Sequence, residues 1–261
     1  MKLQIFQIDA FTDQLFAGNP ACVVPLKEWL PDDLLLQIAR ENAVAETAYF
    51  VDHGETIHLR WFTPDIEMDL CGHATLATAH CLVAHLGYTQ NPLKFHSLSG
   101  PLEVSVHHGF YTLNFPLWEP LPEKLPENIS KALNIRPKEV YKTRDFLLVY
   151  ESQAEIEALQ VNRLWFDREN LGTGGVIVTA PGQQSDFVSR FLTPGATILE
   201  DPVTGSAHCT LTPYWAKRLE KTSLKAIQLS ARKGTILCKI NGDRVQISGQ
   251  AKTYLEGWIR C

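Results

Sequence analysis

The chain has 261 residues, 45% of them apolar, with 16 glycines and 15 prolines, a composition that fills globular cores and argues against a disordered chain. Its net charge is -5 and its lysines and arginines are scattered, which excludes a phosphate-tracking basic face, so no nucleic-acid partner is expected. The most apolar helical stretch, Ala74 to Leu86, is broken by Thr75, Thr78, His80 and His85 and falls short of the ~20 apolar residues of a membrane span, so no membrane partner is expected either.

Met1-Lys2-Leu3-Gln4-Ile5 runs straight into strand alternation without the apolar core and cleavage pattern of a signal peptide, which predicts a cytoplasmic protein. Periodicity then predicts strands at Leu3–Phe11 and Ala21–Leu26, a helix from Pro31 to about Asn42, and strands at Thr47–Asp52 and Ile57–Thr63. A helix starts around Gly72-His73 and ends before Gly87, followed by strands near Leu102–His107 and Tyr111–Phe115. Pro116, Pro120, Pro122 and Pro126 mark a crossing between two units. Beyond it come strands at Val140–Thr143 and Phe146–Tyr150, a helix at Gln153–Leu159, and strands at Gly175–Ala180 and Phe187–Thr193. A helix from Ser206 to Leu219 and three more strands, the last near Ala251–Ile259, complete the chain.

The same order of elements thus occurs twice, and letters repeat with it. Arg60-Trp61-Phe62-Thr63-Pro64 matches Arg190-Phe191-Leu192-Thr193-Pro194, and Gly72-His73-Ala74 matches Gly205-Ser206-Ala207 after a gap three residues longer. The reading is an α+β protein of two halves. Residues 1–118, completed by the last strand at 251–261, form the first, and residues 119–250 the second. In each half a loop leads from Thr-Pro into a helix whose first turn has unpaired N–H groups and a positive dipole end, a place for an anion such as a carboxylate.

Cys22, Cys71, Cys81, Cys209, Cys238 and Cys261 form no C-x-x-C pair and are expected as reduced thiols. Cys71, His73, His208 and Cys209 do not make a convincing zinc site, because His208 and Cys209 are adjacent on a helix and point about 100° apart, so no metal is expected. Leu171-Gly172-Thr173-Gly174-Gly175 is rich in glycine but lacks the strand before it and the helix after it that a dinucleotide loop requires. Glu46, at the mouth of the apolar strand Thr47–Phe50, is by itself either a solvated strand-start carboxylate or, facing a dry cleft, an acid/base.

Four ordered motifs narrow the choice. Gly18-Asn19-Pro20-Ala21, Glu46-Thr47-Ala48, Asp69-Leu70-Cys71-Gly72-His73-Ala74-Thr75 and Glu200-Asp201-Pro202-Val203-Thr204-Gly205-Ser206-Ala207 resemble those of the PhzF family of phenazine-biosynthesis isomerases, as does the ending Ser248-Gly249-Gln250-Ala251 with Glu256-Gly257. The resemblance spans the whole chain. It implies the diaminopimelate-epimerase-like fold, two pseudo-symmetric domains each with a curled mixed sheet around a central helix and the active site between them. It also implies an isomerase without a cofactor, acting on a small carboxylic acid, and a homodimer.

In that family the Glu matching Glu46 carries a proton between carbons of an unsaturated amino-hydroxy acid. The resemblance further implies that His73 and Asp201 contact polar groups of the substrate, that Gly72, Gly205 and Ser206 offer donors to its carboxylate, and that Asn19 belongs to the substrate-binding set. The related epimerases use two opposed cysteines. Here Cys71 stands at the first thiol position and Thr204 at the second, and a hydroxyl cannot replace the second thiol as a base. A racemase or epimerase using Cys71 with another base, or a small-acid-binding protein without catalysis, are the alternatives.

Overall fold

The computed structural model describes all 261 residues and separates into two compact units, Met1–Phe115 with Gln246–Cys261, and Pro116–Val245. The first unit contains β1 (Lys2–Ala10), β2 (Asn19–Leu26), α1 (Asp32–Asn42), β3 (Glu46–Asp52), β4 (Ile57–Phe62), the short β5 (Glu67–Met68), α2 (Gly72–Ala84), β6 (Leu93–Ser97), β7 (Gly100–His107) and β8 (Phe110–Pro116). The second contains β9 (Leu121–Pro122), α3 (Glu127–Ala132), β10 (Glu139–Lys142), β11 (Phe146–Val149), α4 (Gln153–Ala158), α5 (Arg163–Phe166), β12 (Val176–Pro181), β13 (Phe187–Leu192), β14 (Glu200–Asp201), α6 (His208–Leu219), β15 (Ser223–Gln228) and β16 (Gly234–Asn241). β17 (Arg244–Gly249) runs across the boundary, and β18 (Ala251–Arg260) returns to the first unit, where it lies antiparallel to β1 with Lys2 opposite Arg260.

The pairings repeat between the units. Strand β2 is antiparallel to β1 and parallel to β3, and β3 is antiparallel to β4; β11, β10, β12 and β13 pair in the same senses. Strand β4 takes β5 antiparallel and β6 parallel, as β13 takes β14 and β15. Even the braces correspond. Arg60 on β4 forms a two-pronged ion pair with Glu67 on β5, Nε and Nη2 each 2.7 Å from an oxygen, and Arg190 on β13 does the same with Glu200 on β14 at 2.7 and 2.9 Å.

Helix α1 is amphipathic. Leu35, Ile38 and Ala39 share one face and join Cys22, Val24, Tyr49, Val51 and Phe62 in a core cluster, and the tandem acids Asp32 and Asp33 suit the positive end of the helix. Helix α2 has no polar face: Gly72 through Ala79, Cys81 and Leu82 are all buried, and the helix packs on β1, β2, β3 and β18. Thr75 and Thr78 can lie inside it because their hydroxyls donate to the carbonyls of Cys71 and Ala74. In the second unit α6 is equally buried, and its internal Pro213, which has no N–H, leaves the Cys209 carbonyl to accept the N–H of Trp118 at 3.0 Å.

Strand β6 escaped the sequence reading although Leu93, Phe95 and Ser97 alternate inward, as did the short helices α3 and α5, which complete too few turns to show a period. Helix α6 begins at His208, two residues later than expected, because Thr204–Ala207 first make a tight turn that ends with His208 N–H donating to the Gly205 carbonyl. No helix is long and apolar enough to cross a membrane. All six cysteines are free thiols, and only Cys261 is exposed.

Candidate active site

In the first unit the site begins with a glycine. Gly18 has φ +65°, and a Cβ there would lie 2.2 Å from the Ala10 carbonyl oxygen, so only glycine makes this approach. The turn starts β2 at the fully buried Asn19 and runs it beside β3, with Ala21 opposite Glu46. Since α2 packs against both strands, its leading residues meet the start of β3.

There Glu46 Oε2 lies 3.1 Å from His73 Nε2, and the other ring nitrogen, Nδ1, lies 3.6 Å from Cys71 Sγ. Glu46 Oε2 and His73 Nε2 are both buried and neither makes a hydrogen bond, so the 3.1 Å approach between them is an ion-pair contact rather than an aligned hydrogen bond. The Cys71 backbone is pinned in turn, its carbonyl accepting from Thr75 N–H at 3.3 Å and Thr75 Oγ1 at 2.5 Å. The Glu46 side chain is 13% exposed against 3% for His73, so the carboxylate is the member of the row that an outside molecule reaches.

Burial by itself would favour a neutral imidazole, but the facing Cys71 and Glu46 outweigh it and hold the His73 pKa well above its ordinary value. Burial and then the Glu46 charge push the Cys71 thiol up to about 11, against a smaller opposing pull from His73. The thiol is thus held toward its protonated form and the imidazole is drawn toward its charged form. One donor atom from each of the three lies within 4.8 Å of the others, close enough to suggest a metal. Yet His73 turns one nitrogen to the sulfur and the other to the carboxylate, whereas a metal takes a single ring nitrogen, so the geometry is that of a row of pairwise contacts rather than a ligand set.

In the second unit Asp201 ends β14 and Thr204, Gly205 and Ser206 make the turn into α6. Thr204 Oγ1 donates to Asp201 Oδ2 at 2.5 Å. The fully buried Gln228 braces this loop, accepting from Thr204 N–H at 2.8 Å and donating to the Asp201 carbonyl at 2.7 Å. Ser206 Oγ accepts a hydrogen bond from Arg144 Nη2 at 2.9 Å. His208 Nδ1 bonds the Thr204 carbonyl at 2.8 Å, occupying the place that Thr75 takes with Cys71 in the first unit.

The family model described as "Phenazine biosynthesis-like protein" matches residues 8–257. The chain belongs to this family. An uncharacterized isomerase of Pseudomonas aeruginosa is 48% identical over 260 residues, with 99% of each chain covered. The crystal structure of a PhzF-family phenazine biosynthesis protein from Enterococcus faecalis superposes with a TM-score of 0.94 at 41% identity and covers 100% of both chains. One from Clostridium difficile gives 0.91 at 38%, covering 99% of this chain and 100% of its own. The α+β architecture implied by the motifs is the architecture of these phenazine biosynthesis-like proteins.

Of the residues singled out in this family member's sequence, Asn19, Glu46, Cys71, Gly72 and His73 lie in the first unit and Asp201, Thr204, Gly205 and Ser206 in the second. The structure brings Glu46, His73 and Cys71 into mutual contact and ties Asp201 to Thr204. Three polar neighbours went unread: Gln228, Arg144 and the fully buried Asp145. Gln228 carries no motif signal at all. Arg144 and Asp145 stand immediately before an apolar strand, where the repeat aligns them with Asn19 and Pro20, and that alignment was the available signal.

Proposed function

We propose that this protein is an isomerase that needs no cofactor and moves a proton within a small unsaturated amino or hydroxy acid, with Glu46 as the acid/base. The observation that carries the reading is the Glu46–His73 contact, a carboxylate at the edge of an apolar wall with a histidine of raised pKa behind it. As a base, Glu46 takes a proton from a carbon whose electrons spread into the neighbouring unsaturation. As the acid so formed, it returns that proton to another carbon, and nothing is oxidised or reduced. His73 meets the carboxylate in its charged phase and orients it, and a buried, preorganised partner of this kind is worth more than the same contact in water.

The uncharacterized isomerases among the relatives support the reaction class. In the proposal Asn19, Gly72, Asp201, Gly205 and Ser206 contact the substrate, as the family resemblance implies. A homodimer and a cytoplasmic location belong to the same reading, and sedimentation velocity tests the first.

The test is solvent-deuterium incorporation followed by NMR, with a panel of unsaturated amino and hydroxy acids offered to wild type and Glu46→Gln. Incorporation in the wild type that disappears in the variant, with the fold intact by circular dichroism, is the expected result. Incorporation that survives in Glu46→Gln overturns it. Binding without any exchange favours the small-acid-binding alternative.

A second reading has one observation in its favour, the Cys71 thiol 3.6 Å from His73 Nδ1, where a base assisted by imidazole would sit. A thiol pushed up to about 11 is a reluctant base at neutral pH, so Cys71→Ala is expected to keep exchange activity. Abolished exchange in that variant would favour the cysteine-dependent epimerase.

A further inference from the structure

The glycine run Leu171–Gly175 is unaccounted for by the proposed reaction, and its surroundings show what it does. A Cβ on Gly174 would lie 2.8 Å from the Arg144 carbonyl oxygen and 3.4 Å from Asp145 Oδ1, and one on Gly175 would lie 2.4 Å from the Phe191 ring. The two glycines let the backbone close over Asp145, and Gly175 N–H donates to Asp145 Oδ1 at 2.8 Å. A fully buried carboxylate with one backbone donor needs a cation, and Arg144 supplies it, with Nε 3.2 Å from Oδ1 and Nη2 2.9 Å from Oδ2. The guanidinium also lies over the ring of Trp118, a residue whose backbone N–H donates to the Cys209 carbonyl that Pro213 leaves open.

Held from two sides, Arg144 directs its remaining Nη2 hydrogen to Ser206 Oγ at 2.9 Å. The consequence is chemical. A hydroxyl that accepts from arginine has its own proton free for an acceptor elsewhere, so Ser206 becomes a donor backed by a positive charge. Ser206 also belongs to the turn before the first intrahelical donor of α6. Sheet register strengthens the assignment: Arg144 stands two residues before Phe146, the partner of Val176 on β12, and Asn19 stands two residues before Ala21, the partner of Glu46 on β3.

We infer that Arg144, clamped by Asp145 under the Gly174-Gly175 cradle, is a positioning residue that turns the Ser206 hydroxyl into a donor for the carboxylate of the substrate. The inference rests on the carboxylate substrate of the proposed function and on nothing else in it. Arg144 acts through Ser206, and the substrate class it selects is the carboxylate anion over the neutral amide of the same shape.

Isothermal titration of the full chain with anthranilate and with anthranilamide tests this directly, in a Glu46→Gln background so that binding is read apart from turnover. The carboxylate is expected to bind and the amide not. Arg144→Met should weaken the carboxylate by about tenfold or more, the range of a lost charge-assisted hydrogen bond. Because Arg144→Met strands a buried carboxylate, the double variant Arg144→Met/Asp145→Asn is needed; it should recover thermal stability and still bind weakly. Arg144→Lys should restore part of the affinity, and adding Ser206→Ala to Arg144→Met should cost little more, as expected of two residues acting in series.

Wild-type-like affinity in Arg144→Met/Asp145→Asn overturns the inference, and so does a Ser206→Ala effect that multiplies with that of Arg144→Met. Equal binding of acid and amide overturns it as well. If any of these occurs while deuterium exchange remains dependent on Glu46, the proton shuttle stands and only the role of Arg144 falls. Affinity that depends on Arg144 in a protein without exchange removes the shuttle and leaves the anion site.

Discussion

The two units place the same elements around different chemistry. At the helix-leading turn the first has Cys71-Gly72-His73 and the second Thr204-Gly205-Ser206, and opposite the first residue of the central strand pair Glu46 is replaced by Val176. Where the first unit keeps a partly exposed carboxylate in contact with an imidazole, the second keeps a fully buried one, Asp145, paired with arginine and a backbone N–H. An imidazole can gain or lose a proton near neutral pH, whereas a guanidinium keeps its charge. The duplicated frame thus holds a carboxylate against an imidazole in one unit and against a guanidinium in the other, while the Arg60–Glu67 and Arg190–Glu200 braces are kept in both.

Several variants would break or sharpen that contrast. After Glu46→Gln, the largest loss of exchange is expected for His73→Asn, on the order of a hundredfold, because the carboxylate keeps its place without its charged partner. Steady-state exchange rates against bound ligand separate this from a folding defect. In the wild type, exchange should also fall as pH rises through the raised pKa of His73, since the imidazolium is then lost, and His73→Asn should flatten that limb.

The braces make an internal control for stability. Arg190 bonds Glu200 and also the carbonyls of Ile156 and Leu159, whereas Arg60 hydrogen-bonds, besides Glu67, the exposed Asp32 and lies over the rings of Trp29 and Phe62. Arg190→Gln is therefore expected to cost about 2–3 kcal/mol and Arg60→Gln about 1 kcal/mol in urea unfolding. Equal losses would show that the carbonyl contacts of Arg190 contribute no more than the ring contacts of Arg60.

His208 marks a further difference, since burial lowers its pKa to about 4 while His73 is raised. A histidine depressed in the folded state stabilises fully above its unfolded value of about 6.5, and the contribution is lost as pH falls toward 4. His208→Gln should accordingly make unfolding free energy less steep between pH 6.5 and 4, measured by denaturant titration at each pH. The smallest effect is expected for Cys71→Ala, an exchange rate within about threefold of wild type, because its thiol touches His73 and stays protonated.

Much of this protein was legible as a string. Alternation and 3.6-residue periods located the long strands and the central helices, the Arg-x-x-Thr-Pro repeat announced the duplication, and the motifs carried Glu46, His73 and Ser206 together with the family. Those signals are local or repeat at fixed spacing, which is why they survive without a structure. Tertiary structure alone decided which nitrogen of His73 faces which neighbour, that Cys71 is buried high above its working range, and that a glycine run resembling a weak nucleotide loop is a cradle for Asp145. Burial, register across strands and the approach of residues distant in the chain set those facts. None of them is a property of a residue and its sequence neighbours, so the Arg144–Ser206 contact emerged only when the strands were paired.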